Sequence, residues 1–363
     1  MNYHNNDDLL MDEVERAQLA SRALGSSAPL EGSAGRAMLE KTQNFYRRIK
    51  AELGKVIVGQ SSVLELILAA MLARGHVLLE GVPGLGKTLM FKTLSKLMTL
   101  NFQHIQFTPD LMPSDILGTE ILETDQESGV RSLRFLKGPI FSNFLLADEI
   151  NRTSPKTQAA LLQAMQDREI SIGRKIYPLE PPFFVLATQN PMDQEGVYPL
   201  PEAQLDRFML NIFIDYPAYE EELEIARRFT SESNPMLQTV VTEQDFMALQ
   251  QMVRSVLIAE PMLIYAVNLV ASTRPRPNHP LSFVSEQVSV GAGPRATLNI
   301  ILAAKARALL NGRFCVSVED IHAVAPAVLR HRIKLNFTAQ AEEIKTMDVI
   351  ERLLTHLPKP NGR

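Results

Sequence analysis

His76-Val77-Leu78-Leu79-Glu80 runs straight into Gly81-Val82-Pro83-Gly84-Leu85-Gly86-Lys87-Thr88. The first five residues form a short apolar run of the length of a buried strand. Beyond the glycines, residues 87–98 read as a helix with Leu89, Leu94 and Leu97 on its apolar side. Between strand and helix lies Gly-x4-Gly-Lys-Thr, the spacing of a phosphate-cradling loop. Each residue type has a physical task there. Glycines let the backbone curl until successive N–H groups converge on phosphate oxygens. The helix start adds partial positive charge at the same point. Lys87 supplies a point charge for β- and γ-phosphates, and Thr88 a hydroxyl suited to Mg²⁺. Gly81, Val82, Pro83, Gly84, Leu85, Gly86, Lys87, Thr88 and Leu89 are therefore the expected nucleotide-holding segment, with ATP and Mg²⁺ as the expected ligands.

The alternation continues outward from this loop. Residues 60–74 read as a helix, while 103–107, 143–147, 183–188 and 208–214 read as short, mostly apolar strands. Ser154-Pro155 starts a helix that reaches about residue 167. Apolar strands separated by helices predict an α/β fold with a parallel sheet sandwiched by helices. Ligands of such sheets sit at the carboxyl ends of the strands. Asp148 and Glu149, which close the strand at 143–147, are thus expected beside Lys87 and Thr88. Asp148 is expected to hold Mg²⁺ together with Thr88, partly through water, and Glu149 to orient or deprotonate an attacking water. Asn190 follows the next strand and is expected to position that water. Arg207 precedes the last strand, too far around the sheet edge for its own phosphate loop. It reads as a group that reaches a neighbouring copy's nucleotide.

Two stretches interrupt the pattern. Residues 117–140, with alternating Arg131, Leu133 and Phe135, and residues 169–179, centred on Gly173, read as inserted β-hairpins. After Tyr216-Pro217 the strand signals fade. Residues 219–229, 243–256, 261–272, 294–311, 318–328 and 339–354 read as helices, and 274–293 as a proline-bearing loop. The expected organisation is an acidic N-terminal tail over 1–42, a nucleotide-binding domain over 43–216 and an all-α lid domain over 217–363.

Composition narrows the partners. The chain has 363 residues, is 45% hydrophobic and carries a formal net charge of −4, which gives no global pull towards nucleic acid or anionic membrane. The one cysteine, Cys315, excludes an intrachain disulfide and reads as a small buried hydrophobe. A reducing, cytoplasmic setting is expected. The first ten residues are polar and acidic, unlike a secretory signal. The longest apolar run, 63–73, is interrupted by Glu65 and falls short of the roughly twenty residues of a membrane helix, so no membrane insertion is expected. Arg131, Arg134, Lys137, Arg168, Arg174 and Lys175 on the hairpins keep an ATP-driven nucleic-acid machine as an alternative. The acidic balance and the lack of a recognised DNA-reading module count against it. A nucleotide-switched scaffold with little turnover is a third reading, opposed by the intact Asp148-Glu149 pair.

Several ordered motifs together resemble the MoxR family of AAA+ ATPases, in the helix-2 insert clade. They are Val58-Gly59-Gln60, the loop 81–88, Asp148-Glu149-Ile150-Asn151-Arg152, Ala187-Thr188-Gln189-Asn190-Pro191, Glu202-Ala203-Gln204-Leu205-Asp206-Arg207-Phe208 and Gly291-Ala292-Gly293-Pro294-Arg295-Ala296. The resemblance spans roughly residues 43–355. It implies a P-loop AAA+ core with a helical lid, and identifies Asp148-Glu149 with the Walker B pair, Asn190 with sensor 1, Arg207 with the arginine finger and Arg295 with sensor 2. Arg295 would act on its own or on a neighbouring copy's nucleotide. Val58 and Gly59 would line the adenine pocket. The hairpins would face the pore of a homo-oligomeric, hexameric ring. The family further implies protein clients, von Willebrand factor A domain proteins among them, remodelled in chaperone fashion.

Overall fold

A computed structural model of the chain describes residues 33–82, 84–124, 131–173, 175–190, 196–230 and 235–360. Helices α1 (Ser33–Gly54) and α2 (Ser61–Leu72) lead to strand β1 (Val77–Gly81), and the glycine loop opens α3 (Lys87–Leu97). Next come β2 (Phe102–Gln106), α4 (Pro113–Leu117), the hairpin β3–β4 (Gly118–Thr124 and Arg131–Lys137) and β5 (Phe144–Asp148). Helix α5 (Pro155–Asp167), a second hairpin β6–β7 (Glu169–Ile172 and Lys175–Pro178), β8 (Phe184–Gln189), α6 (Glu202–Leu205) and β9 (Leu210–Ile214) complete the core. The remainder is α7 (Tyr219–Phe229), α8 (Glu243–Ser255), α9 (Glu260–Ala271), α10 (Ser282–Gln287), β10 (Val288–Val290), α11 (Pro294–Leu310), α12 (Val318–Leu329), β11 (Lys334–Leu335), α13 (Phe337–Ala341) and α14 (Thr346–His356).

The main sheet has the order β2-β5-β8-β1-β9 and is parallel throughout. Successive side chains of a strand point to opposite faces, and here both faces are covered. Leu79, Leu146 and Leu186 join the core that contains α1, α2, α3 and the C-terminal helices. Leu78, Leu145 and Val185 join a second core with Leu161, Leu162 and Met165 of α5. This double burial is why the strands carry continuous apolar runs.

The first helix runs through the boundary expected at residue 42. Thr42, Phe45, Ile49 and Leu53 are buried at helical spacing, Lys41 pairs with Asp245 of α8 at 2.6 Å, and Phe45 meets Phe246. The Ser33-to-Gly54 segment therefore packs on the body of the protein, and the part of the expected tail before residue 33 lies outside the described residues. The charge inside the apolar α2 has a similar explanation: Glu65 pairs with Arg307 of α11 at 3.2 Å and accepts from Asn311 Nδ2 at 2.7 Å.

Three readings of the C-terminal part need correction. Residues 339–354 are two helices, not one: Glu343 takes a left-handed φ of 57°, and the Asp348 carboxylate accepts from Lys345 N at 2.8 Å to start α14 afresh. Residues 274–293 contain α10 and β10, and β10 pairs antiparallel with β11, so the lid is not purely helical. A strand of three residues is too short to show a period. Cys315 is exposed. It lies in a bridge with Leu257, where alternation turns Val316 inward and the thiol outward.

Asp320 anchors the lid. Its fully buried carboxylate pairs with Arg307 at 2.7 Å and Arg313 at 2.6 Å and accepts from Ser317 N at 2.9 Å. Burial pushes this carboxyl up, but the bonds from Arg313 and Ser317 outweigh it and hold it below the usual range. A depressed carboxyl contributes stability above about pH 4, lost as pH falls through the folded-state value. Asp320→Asn is expected to lower the unfolding free energy by about 3 kcal/mol, near the low end for a broken buried pair because both arginines keep some contact with water. Urea melts at neutral pH measure the loss, and the gap to wild type should close as pH drops below about 4. An equal gap at both pH values refutes the ionic role.

Candidate functional site

The glycine loop leaves the carboxyl end of β1, in the interior of the sheet. Gly84 and Gly86 have φ of 88° and 73°, the left-handed region in which a side chain is strained. Gly86 is the N-cap of α3. Lys87 Nζ turns back to donate to Gly81 O at 2.7 Å. Burial pushes the Lys87 ammonium down, while Asp148 and Glu149 pull it back up, so the cation sits in the field of both carboxylates. Gln60 Nε2 donates to Leu85 O at 3.3 Å and ties the 58–60 turn to the loop. Pro83 lies outside the described residues.

Asp148 and Glu149 end β5, next to β8, and Thr188 of β8 organises both. Thr188 Oγ1 donates to Asp148 Oδ1 and accepts from Glu149 N at 2.8 Å. Glu149 has a left-handed φ of 56°, a conformation that persists in a non-glycine residue only when its surroundings impose it. The Glu149 carboxylate accepts from Gln106 Nε2 at 2.7 Å and from Arg152 Nη1 at 3.4 Å. His104 Nε2 lies 3.4 Å from Asp148 Oδ2.

One cavity of about 390 Å³ gathers the expected groups. Gly84, Gly86, Lys87, Thr88, Leu89, Asp148, Glu149, Thr188 and Asn190 line it. Leu89 lies on this cavity and is exposed, so it departs from the apolar helix face assigned to it, where Leu94 and Leu97 are buried. Val58 and Gly59 flank a separate, smaller cavity of about 210 Å³ with Ile57, Gln60, Leu64 and Met90. The oxygen donors at Thr88 and Asp148 suit a hard cation. Mg²⁺ keeps several waters and takes one or two carboxylates plus substrate phosphates, and that donor set is present here.

Neither Arg207 nor Arg295 lines the cavity at the glycine loop. Asp206 holds the pair's neighbourhood together instead. Arg295 Nη1 donates to Asp206 Oδ2 at 2.9 Å, and Arg332 Nε donates to Asp206 Oδ1 at 2.6 Å. Arg332 also donates to the carbonyls of Asp206, Phe208, Met209 and Val328. Arg207 makes no side-chain hydrogen bond or ion pair among the described residues.

The inserted hairpins touch through Phe135 and Tyr177, whose ring centroids lie 4.3 Å apart. Their cations are partly engaged: Arg134 pairs with Glu123 at 3.2 Å, Lys137 lies over the Phe141 ring and Arg168 donates to Arg74 O. Arg174 and the 125–130 segment lie outside the described residues. Leu122 and Leu133 form a directly opposed cross-strand pair, and Leu133 is 62% exposed.

The sequence missed Gln106, Thr188, His104, Arg152 and the Asp206–Arg332 pair. The motif string contained Thr188, Arg152 and Asp206, but nothing in it distinguished their roles. Gln106 meets Glu149 because β2 lies beside β5, and strand order is not written in the chain.

Residues 76–210 match the ATPase family associated with various cellular activities (AAA), and residues 282–353 match the AAA lid domain. Chaperone MoxR1 of Mycobacterium tuberculosis is 44% identical over 309 residues, 85% of this chain and 81% of its own length. Protein MoxR of Methylorubrum extorquens is 30% identical over 338 residues, covering 90% of this chain and 98% of its own. The crystal structure of a candidate ATPase from Cytophaga hutchinsonii superposes with a TM-score of 0.83 at 43% identity, covering 90% of this chain and 98% of that one.

Proposed function

The chain belongs to the MoxR-type AAA+ ATPases, and we propose that it is a ring-forming member that couples Mg-ATP hydrolysis to chaperone-like remodelling or maturation of partner proteins. The observation that carries this reading is the division of the site. Lys87, Thr88, Asp148, Glu149 and Asn190 share one cavity, whereas Arg295, held by Asp206, and Arg207, the residue after Asp206, stand off it. A site split in this way is completed by the arginines of an adjacent copy, which argues for a ring, expected to be hexameric.

Within that site Lys87 binds the β- and γ-phosphates. Thr88 and Asp148 would hold Mg²⁺, which when bound neutralises charge on the phosphate oxygens. Glu149, steered by Thr188 and Gln106, takes the proton of the attacking water, and Asn190 positions that water. Arg207 and Arg295 of the next copy offset the charge that builds on the leaving phosphates. Val58 and Gly59, tied to the loop through Gln60, would contact adenine. The apolar, exposed Leu122 and Leu133 on the hairpins are suited to gripping client protein. A chaperone role agrees with the name of the mycobacterial relative, and von Willebrand factor A domain proteins are the expected clients. Among the described residues no helix is long and apolar enough to cross a membrane. We propose a cytoplasmic location. The partial engagement of the hairpin cations weakens the nucleic-acid alternative, and the organised Asp148-Glu149 pair weakens that of a scaffold with little turnover.

Phosphate release per subunit, measured across a dilution series, tests the shared site. The rate per subunit should rise with protein concentration and fall to background when EDTA removes Mg²⁺. A rate per subunit that stays constant down to clear monomer, or survives chelation, defeats this reading.

A further inference from the structure

Four cations gather where three helices end. Arg74 follows α2 and precedes β1, so it lies at the opposite end of that strand from the glycine loop. Arg168 follows α5, and its Nη2 donates to Arg74 O at 3.1 Å. Gln250 of α8 donates to Met71 O at 2.7 Å, and Arg254 stands one turn further along the same face of α8. Lys305 of α11 donates to Arg254 O at 3.4 Å.

The charges of this cluster are not balanced within it. None of the four is in an ion pair among the described residues, and the guanidiniums of Arg74 and Arg254 donate no hydrogen bond there. Burial, then Arg254, push the Arg74 guanidinium down. Burial, then Arg74 and Arg254, do the same to Arg168, so the three guanidiniums lie in one another's field. The ends of α2, α5 and α8 offset part of this. Each helix end carries about half a negative charge, which sets about one and a half against four positive charges.

The missing partner is an anion, and its form is restricted. Asp167 and Glu169 flank Arg168, exposed and not paired with it among the described residues. A nucleic-acid backbone crossing the cluster would run past these carboxylates as well. A short acidic segment would not, and the chain has one: Asp7, Asp8, Asp12, Glu13 and Glu15 fall within nine residues that hold no cation. Its reach is sufficient. At a helix rise of 1.5 Å per residue, Ser33 lies about 12 Å from Lys41 along α1, and Arg254 about 14 Å from Asp245 along α8. Lys41 and Asp245 are paired, so Ser33 and Arg254 are separated by no more than about 40 Å. The seventeen residues between Glu15 and Ser33 span up to about 56 Å.

We propose that residues 7–15 dock on Arg74, Arg168, Arg254 and Lys305 of the same chain as an acidic strap. Arg168 leads directly into β6, so the docked strap ties the root of the second hairpin to α8 and α11. Any effect on clients held by that hairpin rests on the function proposed above, whereas docking itself does not.

Cys315 supplies the reporter. It is exposed, is the one cysteine of the chain and bridges Leu257, three residues beyond Arg254. Nitroxide labels on Cys315 and on Asn6→Cys, in the full chain diluted with excess unlabelled chain, allow a double electron–electron resonance measurement. At low ionic strength one short, narrow distance is expected. Neutralising the segment (Asp7→Asn, Asp8→Asn, Asp12→Asn, Glu13→Gln and Glu15→Gln) should replace it with a longer, broad distribution. Arg168→Glu with Arg254→Glu should do the same, as should about 1 M salt, where the screening length falls to about 3 Å. The neutralised segment leaves the described residues unaltered, so it remains informative if the arginine variant fails to fold. A broad distribution in the chain that carries only the labels overturns the proposal. So does a short distance that survives neutralisation or salt, or one that vanishes on dilution with unlabelled chain. A chain that shows the short distance but hydrolyses no ATP keeps the strap and loses the ATPase reading.

Discussion

Arg207→Ala is expected to lower the turnover number for ATP by about 10³-fold, the low end of the range for removal of an arginine finger, while ATP still binds the altered chain. Arg207 sits between α6 and β9, on backbone that Arg332 pins through the carbonyls of Asp206, Phe208 and Met209. Its own side chain makes no hydrogen bond or ion pair among the described residues and is absent from the lining of the phosphate cavity. A rigidly mounted cation with no partner among the described residues is suited to a nucleotide on another copy. Mixing makes the test decisive. Lys87→Ala subunits cannot hold phosphate but keep Arg207; Arg207→Ala subunits hold phosphate but lack the finger. Each preparation alone should be nearly inactive. At a mixed junction an intact loop meets an intact Arg207, so the mixture should exceed the sum of its parts. Activity equal to that sum, or an Arg207→Ala chain that turns over at the wild-type rate, defeats the trans assignment.

The same contacts tie the lid to the residue next to Arg207. Arg295 begins α11 and Arg332 follows α12, both in the C-terminal helical part, and both bind Asp206. Burial pushes the Arg332 guanidinium down and Asp206 partly restores it, so the pair holds a desolvated charge in one geometry. Any movement of the lid relative to the sheet is therefore transmitted to the residue next to Arg207. In the proposed ring, a nucleotide bound to one copy would act on the arginine offered to the next through Asp206 and Arg332.

Contiguity decides which parts of this protein can be read from its chain. The glycine loop is a run of eight residues between a strand and a helix, and Asp148-Glu149 closes another run, so local chemistry marks both as site candidates. The parallel sheet is legible for the same reason, because each buried strand declares itself by its own apolar run. Sheet order is not local. Gln106 ends a strand that also carries Gln103 and His104 and gains meaning only because its register partner is Asp148. Thr188 looks like one more strand residue until β8 is placed against β5. Two details of the lid escaped for a different reason. Its short β10–β11 ribbon and the break between α13 and α14 depend on a few hydrogen bonds and one left-handed residue, Glu343, too little to disturb an amphipathic pattern.

Glu149→Gln is expected to reduce hydrolysis by about 10³-fold, within the range for loss of a general base, with ATP affinity changed only a few-fold. Glutamine has nearly the same shape, so the left-handed backbone at 149 and its N–H bond to Thr188 can persist. The chemistry cannot. The carboxylate accepts from Gln106 and Arg152 and still has lone pairs for a water proton, whereas an amide is too weak a base to take it. The phosphate loop, Thr88 and Asp148 are untouched, so the chain should stall with ATP bound. A stalled state has a use beyond kinetics. If nucleotide state governs the grip on clients, Glu149→Gln with ATP should retain a defined partner protein that Lys87→Ala, unable to hold phosphate, releases. Near-normal hydrolysis by Glu149→Gln shows that the base lies elsewhere. A stalled chain that retains no more protein than Lys87→Ala separates the two halves of the proposal, keeping the ATPase and removing ATP-dependent client binding.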